Sequence, residues 1–154
     1  MLRGSCKRCE RKKQREARVR DTESFAGLAR ALIRYKLIRA RYMSKIAKTR
    51  EEKRLSKFDL DPAWFIAQWE KQDGRCFYTK VPLSKEPGPY KISIDRVDSS
   101  LGYLQDNCVL ACLAVNIMKN QAEVEEFVWW CRKVSRGCKV NPRPPTERTT
   151  NFFH

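Results

Sequence analysis

Between Ile92 and Lys119 the hydrophobic pattern of the chain changes period, and such a change within about two dozen residues leaves few folds open. Ile92 and Ile94 alternate with Ser93 and Asp95, the two-residue repeat of a half-buried strand. A loop follows, in which Gly102 is expected to supply a positive φ. Asp106 or Asn107 is expected to cap a helix that begins with Val109 and Leu110. On that helix Cys112, Asn116 and Lys119 would share one face, with Val109, Leu110, Leu113 and Ile117 toward a core. Folded back on the strand, the helix brings the Asn116 amide toward the Asp95 carboxylate. A carboxylate and an amide oxygen, with positions left for water and phosphate, is a way to hold Mg²⁺ or Mn²⁺ for phosphodiester chemistry. Taken singly, without the surrounding match, Asp95 reads as a loop-capping residue and Asn116 as a polar helix residue.

The same stretch resembles the HNH, or ββα-metal, nucleases. Their motif is Asp-His on a strand, a middle Asn in the loop, and Asn or His on a helix, usually followed two residues later by Lys. Asp95, Asn107, Asn116 and Lys119 match it in order, with the nine-residue interval from Asn107 to Asn116 that the pattern wants. The segment from Gly74 through Cys76, Thr79 and Pro82 to Leu83 resembles the hairpin entrance of many such domains. The resemblance covers roughly residues 60 to 135. It implies Asp95 and Asn116 as ligands of Mg²⁺ or Mn²⁺, Asn107 as the residue fixing the loop or orienting water, and Lys119 and Arg96 as neutralisers of phosphate charge. Arg96 stands where the family has its general-base His. Arginine keeps its proton in proteins, so it cannot activate water. The single histidine, His154, is the last residue. Asp98, Tyr103 or a metal-held hydroxide are the remaining candidates for the base.

The charge is unevenly spread. Residues 1–58 carry 20 Lys and Arg against 6 Asp and Glu, whereas residues 59–154 carry 13 against 12. Nearly all of the net +15 therefore lies in the first third, an asymmetry that points to a polyanion, most simply DNA or RNA. The bland alternative is a solvated basic helix. A membrane partner is not expected: no apolar run approaches the length of a spanning helix, and the basic region lacks Trp. No secretory h-region is seen at the N-terminus, so an intracellular protein is expected, not a secreted one.

Seven scattered cysteines do not form a disulfide framework, which suggests a reducing compartment. Cys6 and Cys9 have the spacing of half a Zn²⁺ site. The HNH resemblance places Cys76 and Cys112 as first members of two zinc pairs, but Thr79 and Val115 stand at the partner positions. Cys76, Cys108 and Cys112 are therefore read as small buried apolar groups.

From Ser24 to about Lys57 one long helix is expected, about 45 Å in length. Leu28, Ala31, Leu32, Tyr35, Ile38, Tyr42 and Ile46 make its apolar stripe. Arg30, Arg34, Arg41, Lys45 and Lys48 lie off the stripe and are the candidate nucleic-acid contacts, together with Lys119. Asp61-Pro62 starts a helix carrying Trp64, Phe65 and Trp69, and Asp73-Gly74 ends it. Residues 75–83 and 90–97 read as a hairpin. A last helix starts at Glu123, with Val124, Phe127, Val128 and Cys131 buried. Pro142, Pro144 and Pro145 mark a tail.

The expected architecture is α+β: a small HNH-like ββα-metal finger core, flanking helices and a long basic N-terminal helix. Residues 1–58 form the basic extension, 59–136 the HNH-like domain and 137–154 the Pro-rich tail. The expected function is metal-dependent endonuclease action on nucleic acid. The alternative is a catalytically inactive HNH-like nucleic-acid-binding protein within a ribonucleoprotein or viral assembly, whose partners would order the termini.

Overall fold

The computed structural model describes residues 24–145, and within them the protein is a mixed α and β structure. Helices α1 (Phe25–Ile46), α2 (Arg50–Leu55) and α3 (Pro62–Lys71) precede an antiparallel pair, β1 (Ile92–Arg96) and β2 (Cys108–Cys112). Helices α4 (Leu113–Lys119) and α5 (Val124–Gly137) follow. Cys6 and Cys9 lie outside the described residues, as does His154.

The expected long helix is two helices. Ser24 caps α1 by accepting from the Gly27 amide, but Ala47 turns to an extended conformation and Thr49 starts again. The Thr49 hydroxyl accepts from the Glu52 amide while the Glu52 carboxylate accepts from the Thr49 and Lys48 amides. This reciprocal cap satisfies donors that a continuous helix would have to bond otherwise. The straight span of α1 is accordingly about 33 Å. At Asp61 the expected start holds: its carboxylate accepts from the Trp64 amide, with Pro62 in the first helical position. Asp73 and Gly74, both at positive φ, end the turn after α3.

A second departure concerns residues 108–112. They pair with β1 in register, Ile92 opposite Cys112 and Arg96 opposite Cys108. Every residue of the strand is buried. Such a run shows no period, so it cannot be distinguished from a buried helix by pattern. The helix therefore starts at Leu113, and neither Asp106 nor Asn107 is its cap. Residues 75–83 do not pair with 90–97. They close on themselves through the bridge of Arg75 with Pro82 and the hydrogen bonds Cys76 N to Val81 O and Leu83 N to Gly74 O. Gly102 is not at positive φ; a Cβ there would lie 2.3 Å from Lys57 O, so the position requires glycine for close approach.

The two faces of β1 divide as the alternation predicts. Ile92 and Ile94 join Leu110, Cys108, Tyr103, Leu60, Trp64 and Phe65 in the main core, and α1 adds Ala29 and Ile33. Phe25 stacks at a tilt on Phe65 and Trp69, with ring centroids 5.5 and 4.7 Å away. Residues 24–46 thus belong to the same packing unit as residues 59–112, and no packing boundary falls at residue 58. A smaller cluster of Cys76, Ala111, Cys112 and Val115 lies on the other side, with Tyr78 and Phe127 against it. α5 touches this cluster through Phe127, and none of its residues is fully buried; Cys131 is exposed. Of the expected α1 stripe, Tyr35, Ile38, Tyr42 and Ile46 are also exposed.

Candidate functional site

β1 carries Ser93 and Asp95 on the face away from the main core, and α4 packs across that face. The Asn116 side chain donates from Nδ2 to Ser93 Oγ at 2.6 Å and to Ile94 O at 3.3 Å. A backbone carbonyl only accepts, so the second bond fixes the sense of the amide and turns Oδ1 away from the strand. Asp95 is buried. Its Oδ2 accepts from the Tyr78 hydroxyl at 2.6 Å and faces Lys119 Nζ at 3.3 Å. Burial and the neighbouring carboxylate push the Tyr78 phenol far above its usual range, so it stays a donor.

Lys119 does not reach phosphate from this position. Its ammonium is enclosed, donating to Arg96 O at 2.9 Å and to Ser99 Oγ at 3.4 Å besides pairing with Asp95. Lys119 was expected to neutralise phosphate charge; its ammonium is instead enclosed as the counter-ion of a buried carboxylate, which would be costly to leave unpaired. Asn107 ties the loop between the strands. Its Oδ1 accepts from Asp98 N, and its Nδ2 donates to Asp98 O and Gly102 O. The residue is thus placed to fix the loop, not to orient water at Asp95. Arg96 donates to Leu101 O at 2.8 Å, with its guanidinium 5.2 Å from the centre of the Tyr103 ring.

Asp95, Arg96 and Asn116 meet in one cavity of about 600 Å³ between α1, β1 and α4. Lys36 and Arg39 line it from α1, and Lys91 from the strand entrance. Lys36 donates to the Tyr103 hydroxyl at 3.3 Å and lies over the same ring. Four cations thus face one carboxylate whose charge Lys119 already balances, and the cavity favours an anion. Lys36, Arg39 and Lys91 were not legible as site residues. Only the i, i+3 spacing of Lys36 and Arg39 at the margin of the buried face of α1 hinted at them. Arg30, Arg34, Arg41 and Lys45 are exposed along α1, and Lys48 is exposed in the link to α2.

Among the described residues no three His, Cys, Asp or Glu side chains converge on a metal position. In this positive cavity a cation that keeps most of its waters would enter only together with the phosphate it binds. Asp95 engages the protein through Oδ2 and Asn116 through Nδ2, which leaves one carboxylate oxygen and one amide oxygen. Mg²⁺ bound by one or two protein oxygens, water and substrate phosphate needs no more. Of the side chains weighed as bases, Asp98 is held below the usual carboxylate range by Ser100, first through its hydroxyl and then through its backbone amide, which donates to Asp98 Oδ1 at 2.7 Å. A weaker base results.

Cys76, Cys108 and Cys112 are all buried free thiols. Burial pushes the Cys108 thiol up to about 12. The Cys112 amide donates to Cys76 Sγ at 3.3 Å, and the Cys112 thiol donates there too, which lowers the Cys76 thiol and raises that of Cys112. No helix among the described residues is long and apolar enough to cross a membrane.

No family model and no solved structure matches the chain. Over 46 residues it is 45% identical to the uncharacterized protein R423 of Acanthamoeba polyphaga mimivirus. That stretch is 30% of this chain and 9% of the viral protein.

Proposed function

We propose that this protein is a metal-dependent endonuclease of the HNH type, acting on the phosphodiester bonds of nucleic acid. The observation that carries the reading is the single cavity in which Asp95 and Asn116 stand beside Lys36, Arg39, Lys91 and Arg96. The succession β1, β2, α4 supports it, because it is the two strands and helix after which the resembled family is named. Asp95 and Asn116 hold Mg²⁺ or Mn²⁺, which when bound supplies a Lewis acid at the scissile phosphate. Lys36, Arg39, Lys91 and Arg96 neutralise the phosphate oxygens and orient the strand. Lys119 pairs with Asp95 within the fold, and Asn107 keeps the loop that carries Asp98 and Gly102 in place. The exposed cations of α1 add affinity that is independent of sequence and falls with salt.

One observation favours a second reading, a nucleic-acid-binding protein that does not cut and serves in a ribonucleoprotein or viral assembly. Arg96 occupies the position of the family's base, and it lies over Tyr103, where it is suited to holding a phosphate. Incubation of supercoiled plasmid and of RNA with the full chain in Mg²⁺, Mn²⁺ or EDTA separates the two. Cutting that needs the metal and is lost in Asn116→Ala, and in Asp95→Ala where circular dichroism shows the fold retained, supports the nuclease. Salt-dependent binding without cutting, undiminished in Asp95→Ala, supports the binder.

A further inference from the structure

The outer face of α1 carries an apolar row that the core does not use. Tyr35, Ile38, Tyr42 and Ile46 are 62%, 57%, 61% and 48% exposed, while the helix packs inward through Ala29, Ile33 and Ala40. At about 100° per residue the four share one stripe, and Tyr35 and Tyr42 stand two turns apart, about 10 Å along the axis. The exposed Arg34, Arg41 and Lys45 run along one flank. Lys36 and Arg39 run along the other and line the cavity together with Tyr35. Tyrosines bordered by two rows of cations offer base faces a stacking surface and phosphates a counter-charge at the same time.

We propose that this face of α1 is a track for single-stranded nucleic acid. Unpaired bases stack on Tyr35 and Tyr42, phosphates lie against the flanking cations, and the strand enters the cavity at Tyr35. A duplex keeps its base faces in its own stack and presents phosphates, so it gains the cations but not the rings. The positive cavity at one end of the row distinguishes this occupant from a lipid surface, which would have no use for it. The inference rests on the proposed function for where the strand leads, but the stacking itself does not depend on hydrolysis.

Fluorescence anisotropy with the full chain in EDTA tests it, using labelled oligothymidylate and a duplex of equal length. We expect Tyr35→Ala and Tyr42→Ala each to weaken oligothymidylate binding by about tenfold and to leave duplex binding within about twofold. Tyr35→Phe and Tyr42→Phe should retain the binding, since the ring remains, and far-UV circular dichroism should be unchanged for these exposed positions. Equal losses for duplex and single strand, or no loss for either, overturn the track. So does a response to the tyrosine variants only in sedimentation of the chain, which indicates a second copy, or only in binding to phosphatidylserine vesicles. Absence of cutting in Mg²⁺ with the stacking preference intact overturns the nuclease reading alone; cutting retained without that preference overturns the track alone.

Discussion

Lys119 Nζ lies 3.3 Å from Asp95 Oδ2, with side-chain exposures of 0% and 5%, so an enclosed ion pair joins α4 to β1. The same carboxylate oxygen accepts from Tyr78, and the ammonium also donates to Arg96 O. Removing one partner strands the other charge in the interior. We expect Lys119→Met to destabilise the fold by about 3–5 kcal/mol. Combining it with Asp95→Asn should recover a large part of that loss. Urea unfolding of the two single variants and the double variant measures the coupling; losses that simply add would refute it.

Asn107 makes three hydrogen bonds to the backbone of the loop between the strands. Asn107→Ala leaves the partners at Asp98 and Gly102 without it, and we expect a loss of about 2–4 kcal/mol. Amide exchange should quicken in residues 97–104 more than in α3. A variant as stable as the parent would show that water replaces the side chain freely.

Gly102 faces Lys57 O so closely that an added methyl would lie 2.3 Å from it. The Tyr103 amide donates to that carbonyl at 2.9 Å, so neither side is free to retreat. We expect Gly102→Ala to separate this contact and to lower the thermal midpoint by several degrees, at a cost of about 1–3 kcal/mol. Gly137, beside which nothing lies within 4 Å, is the control: Gly137→Ala should leave stability unchanged or raise it slightly.

Arg96 lines the cavity and holds its guanidinium over Tyr103. If the site cuts, Arg96→His places a group able to take a proton beside the scissile phosphate. Proton transfer by a positioned side chain contributes about 10²–10⁴-fold to a rate, and we expect cleavage in Mg²⁺ or Mn²⁺ to rise toward that range. Initial rates on plasmid and RNA measure it. A variant that binds nucleic acid and still does not cut counts against the nuclease reading.

The readable parts of this fold are those where a local pattern and a local bond agree. The alternation at Ile92–Asp95 assigned both faces of β1, and Asp61-Pro62 marked the start of α3, because each signal is decided by near neighbours. β2 was unreadable for the opposite reason: Cys108, Val109, Leu110, Ala111 and Cys112 are buried on both faces, so no polar residue records a period. Thr49 and Glu52 carried a capping signal, but the apolar spacing running from Leu28 to Ile46 suggested a helix that continued through it. Asp95 and Asn116 were expected to lie near one another, and both line the cavity between α1, β1 and α4. Lys36 and Arg39 could not be read, since their place depends on how α1 lies against β1, and the enclosure of Lys119 could not be read because a lysine is ordinarily a surface residue.

α1 has an inner face made of Phe25, Ala29, Ile33 and Ala40 and an outer face of tyrosines and cations. The helix is therefore structural framework and working surface at once. A portable version of this domain has to begin at the Ser24 cap, not at residue 59, because a fragment cut there would leave Phe65 and Trp69 without their cover. The outer face carries no such obligation. Its side chains can be exchanged to alter what the protein grips while the scaffold beneath stays as it is.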